Sequence, residues 1–233
     1  LEAAVAEGRR WLLEPEAKRL CRLLGLSTPR FKVASNLVEA VEAAEELGYP
    51  VVLKVVSPDV VHKSEAGGVA LGLEDRRSIE EAYAKLLRNV ESRRPGARIV
   101  GVLVEEMLKP GLEVAFGLIR DPQFGPVVMF GLGGAMLELY GDVSFKLAPL
   151  SVEDARELIA ETKAGRLVEG FKGAPRRDLD ALVDVALKLS RLGVEEDLVE
   201  QVDLNPVVAY ERGAVVADAR VAVKQLSAHT RPP

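Results

Sequence analysis

The spacing of apolar and polar residues changes repeatedly along the chain, which predicts a mixture of helices and strands. Apolar residues recur at helical spacing, between start and stop signals, over residues 14–24, 36–47, 78–90, 151–162 and 178–192. Short β-branched runs predict strands, among them VVLKVV, GVALGL, RIVGVLVEEM, GLEVAFGLIRD and GPVVMFGLGG. Two further apolar strands flank the turn Glu211-Arg212-Gly213 near the C-terminus. The chain is therefore predicted to contain both helices and strands throughout its length.

The segment Arg93-Arg94-Pro95-Gly96 marks the predicted boundary between two subdomains, residues 1–96 and residues 97–233. Helices and strands alternate before this segment, whereas the chain after it is rich in strands. Lys109-Pro110-Gly111 is predicted to form the hairpin turn between the first two strands of the second subdomain.

Glu113 lies on the polar side of the strand GLEVAFGLIRD. Because side chains alternate along a strand, one face carries Leu112, Val114, Phe116 and Leu118, and the other carries Glu113, Ala115, Gly117 and Ile119. Small residues beside a carboxylate leave room for a ligand. The solvent-facing side of a sheet explains the same pattern, so both interpretations stay open.

The stretch from Val51 to Gly72 carries the first candidate chemistry. Lys54 interrupts an apolar strand, and an amine on a core strand needs an anionic partner to offset its desolvation. The loop after this strand carries His62-Lys63-Ser64-Glu65 and then the pair Gly67-Gly68. Lysines supply positive charge and glycines let backbone N–H groups approach phosphate oxygens, which favours a polyphosphate site. A surface hairpin with a solvated charge cluster is the alternative.

The C-terminal pair of strands carries a candidate metal site. Counting from the hairpin turn, with Tyr210 opposite Ala214, places Asn205 beside Asp218 and Asp203 near the same end. Oxygen-bearing side chains that converge on a sheet suit a hard cation such as Mg²⁺ shared with phosphates. A hairpin with polar ends is the alternative.

Composition narrows the class of protein. The net charge of −5 argues against a general nucleic-acid surface, and no apolar run approaches the ~18 residues that a membrane span needs. The single cysteine, Cys21, excludes an internal disulfide, fits a reducing cytoplasm and is predicted to be a small core residue on a helix. The segment FGLGGAMLELYGD fails the dinucleotide-binding pattern at Met136. Its glycines, with Glu138 and Asp142, still indicate a loop near a ligand.

Four motifs occur in a characteristic order: KVVSPDVVHKSEAGGV, VEEMLKPGLEVAFG, FGLGGAMLELYGDVSFKLAP and DLNPVVAYERGAVVADAR. Together they resemble one family, the ATP-grasp β subunits of the ADP-forming acyl-CoA synthetases, relatives of succinyl-CoA synthetase. The resemblance covers nearly the whole chain and implies an ATP-grasp fold, in which two α+β subdomains enclose the nucleotide. It also implies ATP or ADP as substrate and Mg²⁺ as cofactor. Two departures, Glu65 for aspartate and Lys146 for arginine, keep the charge.

The resemblance implies a role for each candidate residue. The residues implied in contacts with the phosphates are Lys54, Lys63, Ser64, Gly67 and Gly68. The segment that reads the adenine ring is implied to run from Val104 through Glu105 to Met107, and Glu113 is implied to hold the ribose. The implied Mg²⁺ ligands are Asn205, Asp218 and Asp203. His62 is implied as a phosphate relay, which suits imidazole because it is a good nucleophile near neutral pH.

The implied reaction is acyl-CoA + ADP + phosphate ⇌ acid + CoA + ATP, with this chain responsible for the nucleotide half. The chain shows no CoA-binding domain of the dinucleotide type, and its other histidine, His229, is expected in a frayed tail. The implied partner is therefore a CoA-binding α subunit that carries the main phosphohistidine, in a cytoplasmic α2β2 complex without nucleic acid or membrane. Two alternatives stay open: another ATP-grasp ligase that forms an acyl phosphate directly, and a non-catalytic nucleotide-sensing subunit.

Overall fold

The chain folds into two units, each built from segments that are distant in sequence. The computed structural model describes residues 1–134, 136, 139 and 141–225, and Glu138 and His229 lie outside that part. The smaller unit comprises Leu13–Glu16 and Pro29–Lys109. The larger unit comprises Leu1–Leu12, Ala17–Thr28 and the chain from Pro110 onward. This division differs from the predicted one at residue 96.

Helices pack against two antiparallel sheets, which is the arrangement of an α+β fold, and the predicted class is confirmed. The helices are α1 (Glu2–Ala6), α2 (Glu14–Leu23), α3 (Leu37–Leu47), α4 (Arg76–Arg93), α5 (Val152–Ala160), α6 (Lys163–Val168) and α7 (Leu179–Glu195). The strands are β1 (Phe31–Ala34), β2 (Val51–Val56), β3 (Val69–Leu73), β4 (Gly101–Glu106), β5 (Leu112–Asp121), β6 (Gly125–Leu132), β7 (Val143–Leu147), β8 (Val199–Ala209), β9 (Ala214–Val216) and β10 (Ala219–Val223). In the part of the chain that is described, no helix has both the length and the apolar character needed to cross a membrane.

Capping side chains set where the predicted helices begin. Asn36 accepts a hydrogen bond from the Glu39 N–H at 3.0 Å at the start of α3, which satisfies a backbone donor that the helix leaves unpaired. The start of α4 differs from the prediction at Ser78. Asp75 is the N-cap and Ser78 is the third helical residue of the same capping box, because the serine hydroxyl bonds back toward the cap.

The smaller unit contains a four-stranded antiparallel sheet in the order β1-β4-β2-β3. The predicted pairing of β2 with β3 is confirmed. One face of the sheet packs on α3 and α4, through Val51, Leu53 and Val55 of β2. Every residue of β2 is buried, so Lys54 belongs to a strand that is covered on both faces.

The predicted hairpin at Lys109-Pro110-Gly111 is wrong. β4, before this segment, pairs with β1 and β2 in the smaller unit. β5, after it, pairs with β6 and β8 in the larger unit. A proline and a glycine between two strands end one strand and start another in the same way in a hairpin and in a connection between sheets, so the local sequence does not distinguish the two.

The larger unit contains a six-stranded antiparallel sheet in the order β10-β8-β5-β6-β7, with β9 paired to β8. Val114, Phe116 and Leu118 of β5 point into the core against α7, which confirms the predicted apolar face. The rings of Phe116 and Phe130 lie 4.9 Å apart between centroids. Cys21 is buried in this core, and burial raises the pKa of its thiol to about 11. The prediction of a small core residue is confirmed.

A bulge in β8 turns Asn205 to the face opposite this core. Val114 of β5 pairs with Val207, but Phe116 pairs with Leu204, so Asn205 and Pro206 together stand opposite Ala115. Leu204 and Val207 are both fully buried, which strict alternation over three residues would forbid. The extra residue therefore keeps both apolar side chains in the core while Asn205 projects from the open face.

The register of the C-terminal hairpin differs by one residue from the prediction. Ala214 lies opposite Ala209, not Tyr210, because the Tyr210 N–H donates to the Gly213 carbonyl at 3.0 Å and closes the turn. In the observed register, Ala219 pairs with Leu204. The adjacent residues, Asp218 and Asn205, therefore lie across from each other, as predicted.

Candidate functional site

Lys54 lies in a buried cluster of two lysines and two glutamates within the smaller unit, here called the lysine cluster. Its Nζ lies 2.7 Å from Oε1 of Glu105 and 2.9 Å from Oε1 of Glu14. The Nζ of Lys63 lies 3.1 Å from Oε2 of Glu14. Each of these residues is at most 8% exposed. The predicted need of Lys54 for an anionic partner is confirmed, and two carboxylates meet it.

Sheet register explains one of these partners, and long-range packing explains the other. Leu103 lies opposite Lys54 and Glu105 lies opposite Val52, so Lys54 and Glu105 are diagonal neighbours on one face. Glu14 comes from the first turn of α2, 40 residues before Lys54. Sequence analysis missed Glu14 because an acidic residue at a helix start already has a local explanation in the helix dipole.

The charges of the lysine cluster cancel, since two ammonium groups face two carboxylates. Buried charges are tolerated when each is paired. These four side chains therefore bring no surplus of positive charge to a phosphate. A polyphosphate near them would need further positive groups, such as a bound cation or oriented backbone N–H donors.

The loop of residues 57–68 presents His62 to solvent and turns Lys63 inward. The His62 side chain is 57% exposed, with Nδ1 3.7 Å from Oε1 of Glu65, whereas Lys63 is buried. The loop is closed by its own hydrogen bonds: Gly68 N–H to Lys63 O at 2.7 Å, Gly67 N–H to Ser64 O at 3.0 Å, and Ala66 N–H to His62 O at 3.2 Å. The amides of the paired glycines are thus engaged within the loop.

The paired glycines of this loop also have a packing reason. Gly67 has a φ of +66°, a conformation that side chains disfavour. A Cβ on Gly68 would lie 2.6 Å from Cγ1 of Val55. The pair Gly67-Gly68 therefore reflects the close approach of the loop to β2, whatever ligand it meets.

The segment implied to read the adenine ring ends β4. Val104 is buried in the core, and the Glu105 side chain turns to Lys54. Met107, just after the strand, is 40% exposed, and its N–H donates to the Pro50 carbonyl at 3.2 Å. The side chain of Met107, not its N–H, is therefore the group that is accessible for contact.

The residues predicted to bind a metal lie on the open face of the larger sheet. Asp203 stands opposite Gly117 on β5 and opposite Arg220 on β10. The guanidinium nitrogens of Arg220 lie 3.7 Å from Oδ2 of Asp203 and 3.8 Å from Oδ2 of Asp218. The two aspartate side chains are 29% and 21% exposed. The structure therefore brings both carboxylates to one arginine while leaving them accessible.

The donor chemistry of this pair, with Asn205, fits Mg²⁺. Carboxylate and amide oxygens are the hard donors that this cation takes, and it commonly binds through one or two carboxylates while keeping water. In the described residues, no group of three or more His, Cys, Asp or Glu side chains is placed to hold a metal. A cation here would therefore use the Asn205 oxygen beside the carboxylates of Asp203 and Asp218.

Gly134 links Asn205 to Glu113. Its N–H donates to Oδ1 of Asn205 at 2.7 Å. A Cβ on Gly134, whose φ is +58°, would collide with Oε2 of Glu113. Glycine thus lets the exposed carboxylate of Glu113 approach the backbone next to Asn205. Sequence analysis missed this connection, although the second glycine of Gly133-Gly134 was its signal.

Two further positions of the resembled motifs have structural partners. Lys146 on β7 donates to Oε2 of Glu157 at 2.7 Å, and this hydrogen bond raises the pKa of its ammonium group. Asp142 accepts a hydrogen bond from the Lys163 N–H at 2.6 Å, at the start of α6. Both contacts tie the chain after β6 to the helical layer of the larger unit.

Two cavities of the larger unit lie away from these residues. One of about 570 Å³ and an adjoining one of about 390 Å³ share Arg166 and Phe171 in their walls. Neither is lined by a residue that the sequence singled out for nucleotide or metal. Each unit therefore has its own candidate residues, which carry the relevant charges: the lysine cluster and the His62 loop in the smaller unit, and the open-face carboxylates in the larger unit.

Comparisons with known proteins agree with the motifs. A sequence profile described as an ATP-grasp domain matches residues 3–223. The chain is 45% identical to acetate–CoA ligase [ADP-forming] I subunit beta of Pyrococcus furiosus, over 95% of each chain.

Solved structures of a second protein are similar as well. The protein is the dinucleotide-forming acetyl-coenzyme A synthetase 1 of Ca. Korarchaeum cryptofilum. Its complex with coenzyme A, Ca-AMPCP and HgCl⁺ matches with a TM-score of 0.93 and 46% identity, over 96% of this chain and 97% of that one. Its complex with coenzyme A and Mg-AMPPCP, in which the phosphohistidine segment points towards the nucleotide-binding site, matches with a TM-score of 0.83 and 43% identity, over the same shares. The chain therefore belongs to the ATP-grasp family, among the β subunits of the ADP-forming acetate–CoA ligases.

Proposed function

We propose that this chain is the nucleotide-binding β subunit of an ADP-forming acyl-CoA synthetase, which interconverts acyl-CoA, ADP and phosphate with a carboxylic acid, CoA and ATP. The relative from Pyrococcus furiosus, which bears such a name, covers 95% of the chain at 45% identity. The observation that carries the proposal is His62, an exposed imidazole held next to a buried lysine.

The smaller unit would bind the phosphates and the base. In this proposal Lys54, Lys63, Ser64 and the Gly67-Gly68 turn face the phosphates, and the end of β4 from Val104 through Glu105 to Met107 contacts the adenine. The exposed side chain of Met107 supports an apolar contact with a flat ring. Because the lysine cluster is neutral, its part is to orient the two ammonium groups, and neutralisation of the polyphosphate falls to other groups.

The larger unit would hold the cation and the ribose. Asp203, Asn205 and Asp218 would hold Mg²⁺, and Glu113 would accept hydrogen bonds from the ribose hydroxyls. Mg²⁺, when bound, spreads and neutralises the negative charge of the phosphates. Arg220 keeps the two aspartates from repelling each other before the cation arrives.

His62 would carry the phosphoryl group in transit. In the direction that consumes ATP, an imidazole nitrogen of His62 attacks the γ-phosphorus, the bond from that phosphorus to the β,γ-bridging oxygen breaks, and ADP leaves with the electron pair. The nitrogen that attacks is the unprotonated one, and the other ring nitrogen keeps its proton. The phosphoimidazole therefore forms without an added base. In the direction of ATP synthesis the same bonds form and break in reverse.

The partner would be a separate chain that binds CoA and carries the main phosphohistidine. The relative from Pyrococcus furiosus is named as a subunit, and the related structure from Ca. Korarchaeum cryptofilum contains coenzyme A and a phosphohistidine segment. We propose an α2β2 assembly in which the partner selects the acid and this chain supplies or accepts the phosphate.

The test is a phosphate-labelling experiment on the complex purified from its native source. With [γ-³²P]ATP, this chain should acquire an acid-labile, base-stable label that disappears in His62→Ala. The matched control is Lys85→Ala on the exposed side of α4, which should keep the label. A His62→Ala complex with full synthetase activity would overturn the relay, and nucleotide binding without turnover in the complete complex would favour a sensing subunit.

A further inference from the structure

We infer that Glu14 is a positioning residue for phosphoryl transfer, because it holds the loop that carries His62 at a fixed distance from Lys54. This inference rests on the proposed function, because it assigns Glu14 a part in the same step. Glu14 is the first residue of α2, and its surroundings place it with the smaller unit although most of α2 belongs to the larger one.

One carboxylate bridges two elements of the smaller unit. Oε1 of Glu14 lies 2.9 Å from Nζ of Lys54 on β2, and Oε2 lies 3.1 Å from Nζ of Lys63 in the loop. The Glu14 side chain is completely buried. A carboxylate that pairs with two cations at once fixes the distance between them, which a neutral side chain of the same size cannot do.

The loop is attached at other points as well: the Arg98 N–H donates to Oδ2 of Asp59 at 2.7 Å, the Val55 N–H donates to Gly68 O at 2.8 Å, and Val60 and Ala66 are buried in the core of the smaller unit. On the side of α4, the Asn89 side chain donates to Gly67 O at 3.3 Å, and Arg93 donates to Glu65 O at 2.6 Å. His62 and Glu65, the charged or polar side chains that flank Lys63, face solvent. Lys63 is the charged anchor of the segment next to His62, and Glu14 supplies the carboxylate that its ammonium group contacts at 3.1 Å.

Loss of the Glu14 charge would release this anchor. Lys54 would still have Glu105 at 2.7 Å, but the carboxylate that Lys63 contacts would be gone, and a buried ammonium group without a counter-charge moves toward water. Because His62 precedes Lys63 in the chain, movement of Lys63 displaces the imidazole. A shift of about 1 Å in a reacting group can slow a reaction by about 100-fold.

Loss of the Glu14 charge should affect phosphoryl transfer to His62 and nucleotide binding in different ways. In Glu14→Gln the lysine cluster changes from neutral to a net charge of +1, which favours a polyphosphate. We therefore expect the nucleotide dissociation constant to stay the same or decrease, while the rate of His62 phosphorylation falls at least about 10-fold. A residue that only stabilised the fold would not produce this split.

The experiment uses the complete complex with three variants of this chain. Glu14→Gln removes the charge, and Glu14→Asp keeps the charge on a shorter side chain and should restore part of the rate. Glu39→Gln is the matched control, since Glu39 is also a helix-start glutamate of the smaller unit, exposed and bonded at α3. The readouts are single-turnover phosphorylation from [γ-³²P]ATP, nucleotide binding by calorimetry, and hydrogen exchange of the amides of residues 62–68.

The inference requires slow phosphorylation, unweakened nucleotide binding and faster amide exchange in Glu14→Gln, with Glu39→Gln unchanged. Phosphorylation of Glu14→Gln at the wild-type rate would overturn it, as would protected amides in the loop. If Glu14→Gln does not fold, Glu14→Asp carries the test: its shorter side chain weakens the contact with Lys63, so it must show slower phosphorylation and faster amide exchange than the wild type. A wild-type complex without any label on His62 overturns the relay of the proposed function, and faster exchange in Glu14→Gln then still establishes the anchor.

Discussion

The two groups of charged residues differ in burial, and burial sets how strongly each group contributes to the stability of the protein. In the lysine cluster, Lys54 and Lys63 are at most 8% exposed and their partners are carboxylates of the same unit. On the open face, Asp203 and Asp218 are 29% and 21% exposed, and Arg220 lies beyond hydrogen-bond distance from both. Loss of a carboxylate from the first group should therefore lower stability strongly, whereas loss of one from the second should change ligand chemistry with little change in stability.

The largest effect is expected when the lysine cluster loses one carboxylate. Glu105→Gln removes the carboxylate that lies 2.7 Å from Nζ of Lys54, and breaking this buried ion pair should lower the free energy of unfolding by about 3–5 kcal/mol. Urea denaturation at neutral pH measures this change. The control is Glu106→Gln on the same strand, whose carboxylate pairs with the exposed Arg30 at 2.7 Å and should cost less than about 1 kcal/mol. Equal losses for the two variants would remove the distinction by burial.

A different outcome is expected on the open face. Asp218→Asn removes one charge from the proposed cation site, so the rate of nucleotide-dependent turnover should fall by about 10- to 100-fold, with partial recovery at high Mg²⁺ concentration. The free energy of unfolding should change by less than about 1 kcal/mol, because the side chain is accessible to water. The control is Asp197→Asn, an exposed acid of the same unit. A large loss of stability with unchanged Mg²⁺ dependence would assign Asp218 to the fold.

The smallest expected effect is a pH-dependent change in stability at Asp178, a partly accessible carboxylate of the larger unit. Asp178 caps α7 and also accepts the Gly213 N–H at 2.7 Å, at the tip of the hairpin that carries Asp218. These backbone hydrogen bonds, chiefly that of Gly213, lower the pKa of Asp178. A lowered pKa in the folded state means that the carboxylate adds stability above its unfolded pKa of about 3.9 and loses this contribution as the pH falls through the folded pKa.

Asp178→Ala should therefore lower the free energy of unfolding by about 1 kcal/mol at pH 7. The difference from the wild type should shrink as the pH falls below about 4, where the wild-type carboxylate becomes protonated. Thermal or urea unfolding at pH 7 and at pH 3 measures both values. A difference that stays constant with pH would mean that the Asp178 charge has no part in holding the hairpin.

Local patterns were sufficient for much of the secondary structure and for part of the site. The cap at Asn36, the apolar face of β5 and the buried position of Cys21 follow from neighbouring residues. The motif around Lys54 indicated that a buried amine needs a carboxylate. The ordered motifs indicated the family, because each motif combines a strand with the loop that follows it.

Other features needed the whole fold. The motif around Lys54 could not name its partners, since Glu105 reaches it through sheet register and Glu14 through a contact across 40 residues. The segment 107–111 has the composition of a hairpin turn, yet it connects two sheets. The direction of Asn205 depends on a bulge that is set by the burial of both Leu204 and Val207.

The amino-acid sequence by itself determined where helices and strands form, which faces are apolar and which residues carry charge. Only the tertiary structure decided which of those charges cancel in the lysine cluster and which stay accessible on the open face. The physical reason is the distance along the chain over which each interaction acts. Capping, turn formation and periodicity act over a few residues, whereas desolvation and ion pairing depend on every segment that packs around a charge.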